Sequence, residues 1–140
     1  MSSTDAVLDS NVLLRLLLED DPELSARARN FLDTSLERGD RLHVSLTTLS
    51  EVVFVITGAR LKMPPADALQ ALDAMFAMPL WITDRTVAVR ARDLYESFHD
   101  WDDCVVVAQA LRDCGGRVVT FDRGMRRIPG IQWIHPSGTT

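Results

Sequence analysis

Asp9, Glu51, Asp103 and Asp122 are carboxylates from four well-separated parts of the chain, and each stands beside a short apolar run. Asp9 closes "DAVLD" (5–9), Asp122 follows "RVVTF", and Asp103 opens "WDDCVVVAQAL" together with Asp102. Glu51 lies within "LTTLSEVVFVITGAR" (46–60), where it is the only acidic or basic side chain between Arg41 and Arg60 apart from the titratable His43. Burying a carboxylate in such surroundings is costly unless something pairs with it. Several carboxylates facing one another in a dry cleft repel, so without a cation some must take up protons. Hard oxygen donors with no Cys or His companions suit Mg2+ or Mn2+ rather than zinc. An ion held by them activates water and stabilises the charge that develops on a phosphate during in-line displacement.

Each acid also has a plainer reading. Asp9 can cap a helix beginning near Asn11, Asp122 can belong to an Asp-Arg-Gly turn, and Asp100, Asp102 and Asp103 precede a helix whose dipole favours carboxylates. Capping does not account for Glu51. Helical phase separates the adjacent pair: steps of three and four from Asp103 reach Val106, Val107, Ala110 and Cys114, an apolar stripe, whereas those from Asp102 reach Val105, Val106, Gln109 and Asp113. Asp103 is the expected ligand and Asp102 a cap or an outer supporting group.

Positioning these acids requires alternating strands and helices. "DAVLD", "RLHVS", "LWIT", "RVVTF" and "IQWIH" read as short buried strands. Between them stand helical stripes: "NVLLRLLLED"; "PELSARARNFLDTSLERGD", opened by Pro22 and stopped by Gly39; the segment bearing Glu51, with Thr47 and Thr48 as possible caps; "PPADALQALDAMFAM"; "DRTVAVRARDLYESFHD"; and "WDDCVVVAQALRDCGG", closed by Gly115. The expectation is one α/β domain over residues 1–140, its core at roughly 4–135, with an open parallel five-stranded sheet covered by helices on both faces. Ligands of such sheets bind beyond the carboxyl ends of the strands, where all four acids fall.

Composition sets limits. A hydrophobic content of 46% supports a core, and 25% charged residues argue against disorder. No apolar run reaches the ~18 residues that span a bilayer, and "MSSTDAVLDS" lacks the pattern of a signal peptide, so a cytoplasmic protein with no membrane partner is expected. A net charge of −5 speaks against a broad electrostatic grip on nucleic acid. Fourteen of the fifteen basic residues are Arg, which suits bidentate phosphate contacts. Cys104 and Cys114 read as reduced, small buried hydrophobes, and His43, His99 and His135 do not compose a general acid–base site.

Taken together, "VLDSNVLLRLL", "SEVVFVI", "WDDCVVVAQAL" and "VVTFDRGMRR" resemble the PIN-domain nucleases, in particular the VapC-type toxins of toxin–antitoxin pairs. The likeness runs through essentially the whole chain. It implies a five-stranded parallel sheet, Mg2+- or Mn2+-dependent endoribonuclease activity on tRNA, rRNA or mRNA, a homodimer, and a small VapB-type antitoxin in the active-site groove. Carried over, the catalytic and metal-holding acids are Asp9, Glu51, Asp103 and Asp122. Ser10, Asn11 and Thr120 match positions that support acids or metal waters, and Arg123, Arg126 and Arg127 are placed to meet substrate phosphates. Asp102 departs from the family's usual small apolar residue there.

Other classes fit less well. A haloacid-dehalogenase-type phosphatase needs a second Asp where Asn11 stands. A receiver domain needs a late-strand Lys, and the only one, Lys62, precedes Pro64-Pro65. Dinucleotide binding needs a glycine-rich first turn that "LDSNVLL" lacks. Two alternatives stay open: a PIN nuclease that processes RNA without an antitoxin, and a weakly active PIN module that binds RNA or protein.

Overall fold

The computed structural model describes residues 4–138. The chain divides into two compact units, Met1–Arg85 and Thr86–Thr140.

In the first unit the elements run β1 (Ala6–Val7), α1 (Ser10–Leu17), α2 (Pro22–Glu37), β2 (Leu42–Val44), α3 (Leu46–Thr57), α4 (Pro65–Ala77) and β3 (Trp81–Ile82). The three strands pair in parallel in the order β1-β2-β3, with Ala6 opposite Leu42 and Val44 opposite Ile82. Helix α1 packs against α2, α3 and α4. Pro22 and Pro65 take first-turn positions, where a missing N–H costs nothing, and the Asp21 carboxylate caps α2 by accepting the Leu24 N–H at 3.1 Å. Helix α3 is capped by Ser45, whose hydroxyl accepts the Thr48 N–H at 3.1 Å. The cap therefore falls before Thr47 and Thr48, because Ser45 is the last extended residue after β2.

The phase of α3 corrects the expectation for Glu51. Leu49, Val52, Val53 and Ile56, spaced three and four apart, are buried, while Glu51, Phe54 and Val55 fall on the other side and are exposed. The apolar run is thus one buried face plus an exposed apolar strip. Glu51 is not desolvated, and it needs no partner on energetic grounds.

The second unit contains α5 (which begins at Arg85 and ends at Tyr95), α6 (Trp101–Asp113), β4 (Arg117–Val119), a 3-10 turn (Arg123–Arg127) and β5 (Gln132–Ile134). Strands β4 and β5 are parallel, with Val118 opposite Trp133. A core of Val107, Ala110, Val118, Met125, Ile128 and Trp133 joins α6, both strands and the turn. Where the two strands begin, Gly116 (φ +85°) passes so close to Gly130 that a Cβ on it would stand 2.1 Å from the Gly130 carbonyl oxygen. No other residue fits there.

All five expected strands occur and all pairings are parallel, but the ladders are a three-stranded set and a two-stranded set, not one five-stranded sheet. The strands are only two or three residues long, so each ladder rests on few bonds. Cys104 is buried and Cys114 exposed, which corrects the expectation that both are core residues. Among the described residues, no helix is long and apolar enough to cross a membrane.

Candidate active site

Two of the predicted acids meet in the second unit. Asp103 is half-buried on the first turn of α6, between exposed Asp102 and buried Cys104. The helix is capped by Asp100, whose carboxylate accepts the Asp103 N–H at 3.2 Å. Asp122 follows β4 at the head of the 3-10 turn. Its N–H donates to the Thr120 hydroxyl at 3.0 Å, one carboxylate oxygen accepts the Gly124 N–H at 2.8 Å, and its carbonyl accepts the Trp133 indole N–H at 3.0 Å. Three bonds thus fix the backbone and side chain of an exposed acid. Asp100, Asp103 and Asp122 line one cleft of about 330 Å³, together with Phe98, His99 and Arg127.

This cleft is unfavourable for negative charge. The Asp103 pKa is raised, first by burial and then by the charges of Asp100, Asp122 and Asp102. Cys104 behind it is pushed up to about 12 by burial and by Asp100 and Asp103, and its thiol donates to the Phe98 carbonyl at 3.0 Å. It is an inert thiol, not a nucleophile. Carboxylate oxygens are hard donors of the kind that suits a divalent cation, and a cation beside Asp103 would relieve this crowding.

The other two acids belong to the first unit. Asp9 caps α1, its carboxylate accepting the Asn11 N–H at 2.6 Å, so the capping reading is realised. That bond comes from the Asn11 backbone, while Ser10 begins the helix half-buried. Asp9, Asn11 and Arg15 line a groove of about 800 Å³ whose remaining walls include Val7, Val12 and Phe31. Glu51 stands exposed on α3. Among the described residues, no three or more His, Cys, Asp or Glu side chains are gathered as an ion-holding set. Of the four predicted acids, Asp103 and Asp122 are the two that line a common cleft.

The three Arg residues of the turn divide. Arg127 lines the acidic cleft, whereas the guanidinium groups of Arg123 and Arg126 lie 5.8 and 5.2 Å from the centre of the Trp133 ring. Sequence reasoning passed over Asp100 and His99 as site residues. Asp100 was legible as a helix-opening acid three residues before Asp103, a capping distance that also brings two charges together. His99 carried no such signal, because its place depends on how the α5–α6 loop turns.

A family model described as "PIN domain" matches residues 6–131. No curated protein matches the chain. Among solved structures, the chain is similar to one in the crystal structure of VapBC2 from Rickettsia felis bound to a DNA fragment from the promoter of that pair. The two share 14% identity over 94% of this chain and 98% of that one, with a TM-score of 0.39.

Proposed function

The chain belongs to the PIN-domain family, whose members are generally nucleases, and from that membership we propose that it is a Mg2+- or Mn2+-dependent endoribonuclease, the toxin of a VapBC-type toxin–antitoxin pair. The observation that carries the reading is the cleft in which Asp103, Asp122 and Asp100 crowd one another and hold the Asp103 pKa up. Asp103 and Asp122 are the residues that would hold the ion there, with Asp9 and Glu51 required for the same reaction on the strength of their motifs. A divalent ion held there would supply an acidified water and would neutralise charge developing on the phosphate. The chain's own groups do the positioning. Thr120 and Trp133 fix Asp122, Asp100 fixes the first turn under Asp103, and Arg127 offers a guanidinium to a phosphate oxygen at the cleft wall.

The same reading includes RNA (tRNA, rRNA or mRNA) as substrate, a small VapB-type antitoxin as partner, a homodimer and a cytoplasmic location. The test has two parts. Purified protein should cleave RNA with Mg2+ or Mn2+ and not with EDTA, and Asp103→Asn should remove that activity. Induced expression should then create new RNA ends and arrest growth, and co-expression of an adjacent small gene should suppress both. Cleavage without suppression would leave an RNA-processing nuclease, and no cleavage by either route would sink the reading.

A further inference from the structure

His99 stands in the loop between α5 and α6, and its surroundings hold it in place. The Ser97 and Phe98 N–H groups both donate to the Leu94 carbonyl, at 3.1 and 2.9 Å, and the Phe98 carbonyl accepts the Cys104 thiol at 3.0 Å. The imidazole lies 5.8 Å from the ring of Tyr95, which in turn meets Trp101 edge-on with centroids 6.3 Å apart. Tyr95 and Trp101 are buried, so the exposed imidazole rests on a packed aromatic base. Its Nε2 lies 3.2 Å from the Glu96 carbonyl oxygen. A carbonyl only accepts, so Nε2 carries the hydrogen, and in the neutral ring the lone pair sits on Nδ1. Among the described residues Nδ1 has no partner.

His99 also lines the cleft of Asp100, Asp103 and Asp122. A volume of about 330 Å³ holds roughly ten waters at ~30 Å³ each, so groups on its walls stand about one or two waters apart. Hydrolysis there needs a group that takes the proton of the attacking water, directly or through one further water. The other titratable groups of the cleft are committed elsewhere. Asp103 and Asp122 are read above as holding the ion, Asp100 accepts the Asp103 N–H, and the Arg127 guanidinium does not give up its proton in proteins. Carboxylates are also weaker bases, as a class, than imidazole. His99 is not placed as an ion ligand, because among the described residues no three His, Cys, Asp or Glu side chains are gathered as an ion-holding set. What the cleft wall offers is an oriented imidazole with one nitrogen anchored and the other free.

We propose that His99 is the general base of the hydrolysis, a further catalytic residue beside the acids. This rests on the ribonuclease reading above and adds to it the group that accepts the proton. As the water oxygen bonds to phosphorus, one water proton passes to Nδ1 and the bond from phosphorus to the leaving ribose oxygen breaks. That oxygen takes a proton from solvent, and the imidazolium returns its own to solvent before the next turnover. The Nε2 hydrogen stays on the Glu96 carbonyl throughout and keeps the ring oriented.

The test compares the wild type with His99→Ala and His99→Gln on a short RNA in Mg2+. Both variants should lower kcat about 100- to 10,000-fold and leave KM near the wild-type value. Imidazole added to His99→Ala should restore part of the rate, and across a series of substituted imidazoles the restored rate should rise with their basicity. Since the side chain is exposed, the melting temperature and its rise with Mg2+ should match the wild type in both variants. Wild-type kcat in either variant overturns the base, and in His99→Gln it would show that hydrogen bonding suffices. A loss that no imidazole restores makes His99 a structural residue, and a variant whose melting temperature no longer rises with Mg2+ makes it an ion ligand; each overturns the base as well. Failure of the two readings is separable. A wild type that cleaves no RNA removes the nuclease and the base together, whereas a cleaving wild type with any of those results removes the base alone.

Discussion

Asp100 caps the helix that carries Asp103, and the carboxylate that accepts the Asp103 amide at 3.2 Å also raises the pKa of the Asp103 side chain. The two effects have opposite signs. The cap stabilises the first turn of α6 by about 1 kcal/mol, while charge crowding around Asp103 costs stability whenever it ionises. A cation beside Asp103 would relieve the second effect and leave the first untouched.

Asp103→Asn should therefore raise the melting temperature of the protein in EDTA at neutral pH, by up to about 4 °C. The sign follows from the raised pKa. The folded state holds the Asp103 proton more tightly than the unfolded chain, so this group's contribution falls as pH rises from the ordinary carboxylate value through the raised one. The gain from Asn should accordingly shrink as pH is lowered through that window. Added Mg2+ should stabilise the wild type more than the variant. Thermal melts at several pH values check both trends, and a variant that melts lower than the wild type in EDTA at neutral pH counts against crowding.

Asp9→Asn separates the two readings of Asp9. Asn caps helices about as well as Asp, so the bond from the Asn11 amide survives and the fold should melt within about 1 kcal/mol of the wild type. RNA cleavage should nevertheless disappear, because a neutral amide is a poor donor to a divalent ion. Asp9→Ala should lose both activity and, by about 0.5–2 kcal/mol, stability. Retained cleavage by purified Asp9→Asn would leave Asp9 as a cap and nothing more.

What was legible in the sequence was whatever a local rule controls. Pro22, Pro65 and Gly39 mark helix ends because ring closure and a positive φ act on the residue itself. Apolar runs located all five strands, and the order of the motifs gave the family. The burial of Glu51 was misjudged for a physical reason. An unbroken apolar run hides its helical phase, and only the packing of Leu49, Val52, Val53 and Ile56 reveals that Glu51 and Phe54 face away from the core. The crowding around Asp103 was half-legible, since the spacing to Asp100 is written in the chain whereas the approach of Asp122 depends on tertiary structure.

Helix α3 leads to a prediction about assembly. Phe54 is 75% exposed on helix α3, with the partly exposed Val55 beside it. Single exposed apolar residues are ordinary, but a strip along one helix is the kind of surface that a second copy covers. The protein should sediment as a dimer at micromolar concentration, and Phe54→Glu should shift it to monomer without lowering its helix content. A wild type that sediments as a monomer contradicts the dimer.

The bond from the Trp133 indole to the Asp122 carbonyl yields the last prediction. Trp133 is a core residue, 9% exposed, and its ring also carries Arg123 and Arg126. Trp133→Phe keeps an aromatic in the core but removes the N–H, so Asp122 loses one of the three bonds that fix it. The freed carbonyl belongs to an exposed residue and can turn to water, which limits the direct loss to about 1 kcal/mol. Activity should fall further than stability suggests, by about 10- to 100-fold, the range seen when a partner that orients a metal-holding carboxylate is removed. Met125→Leu, in the same core cluster and close in volume, is the control. It should cost less than about 1.5 kcal/mol and leave cleavage near the wild-type rate. If melting temperature and cleavage rate fall in the same proportion in both variants, the indole bond positions nothing, and the effect is one of core packing.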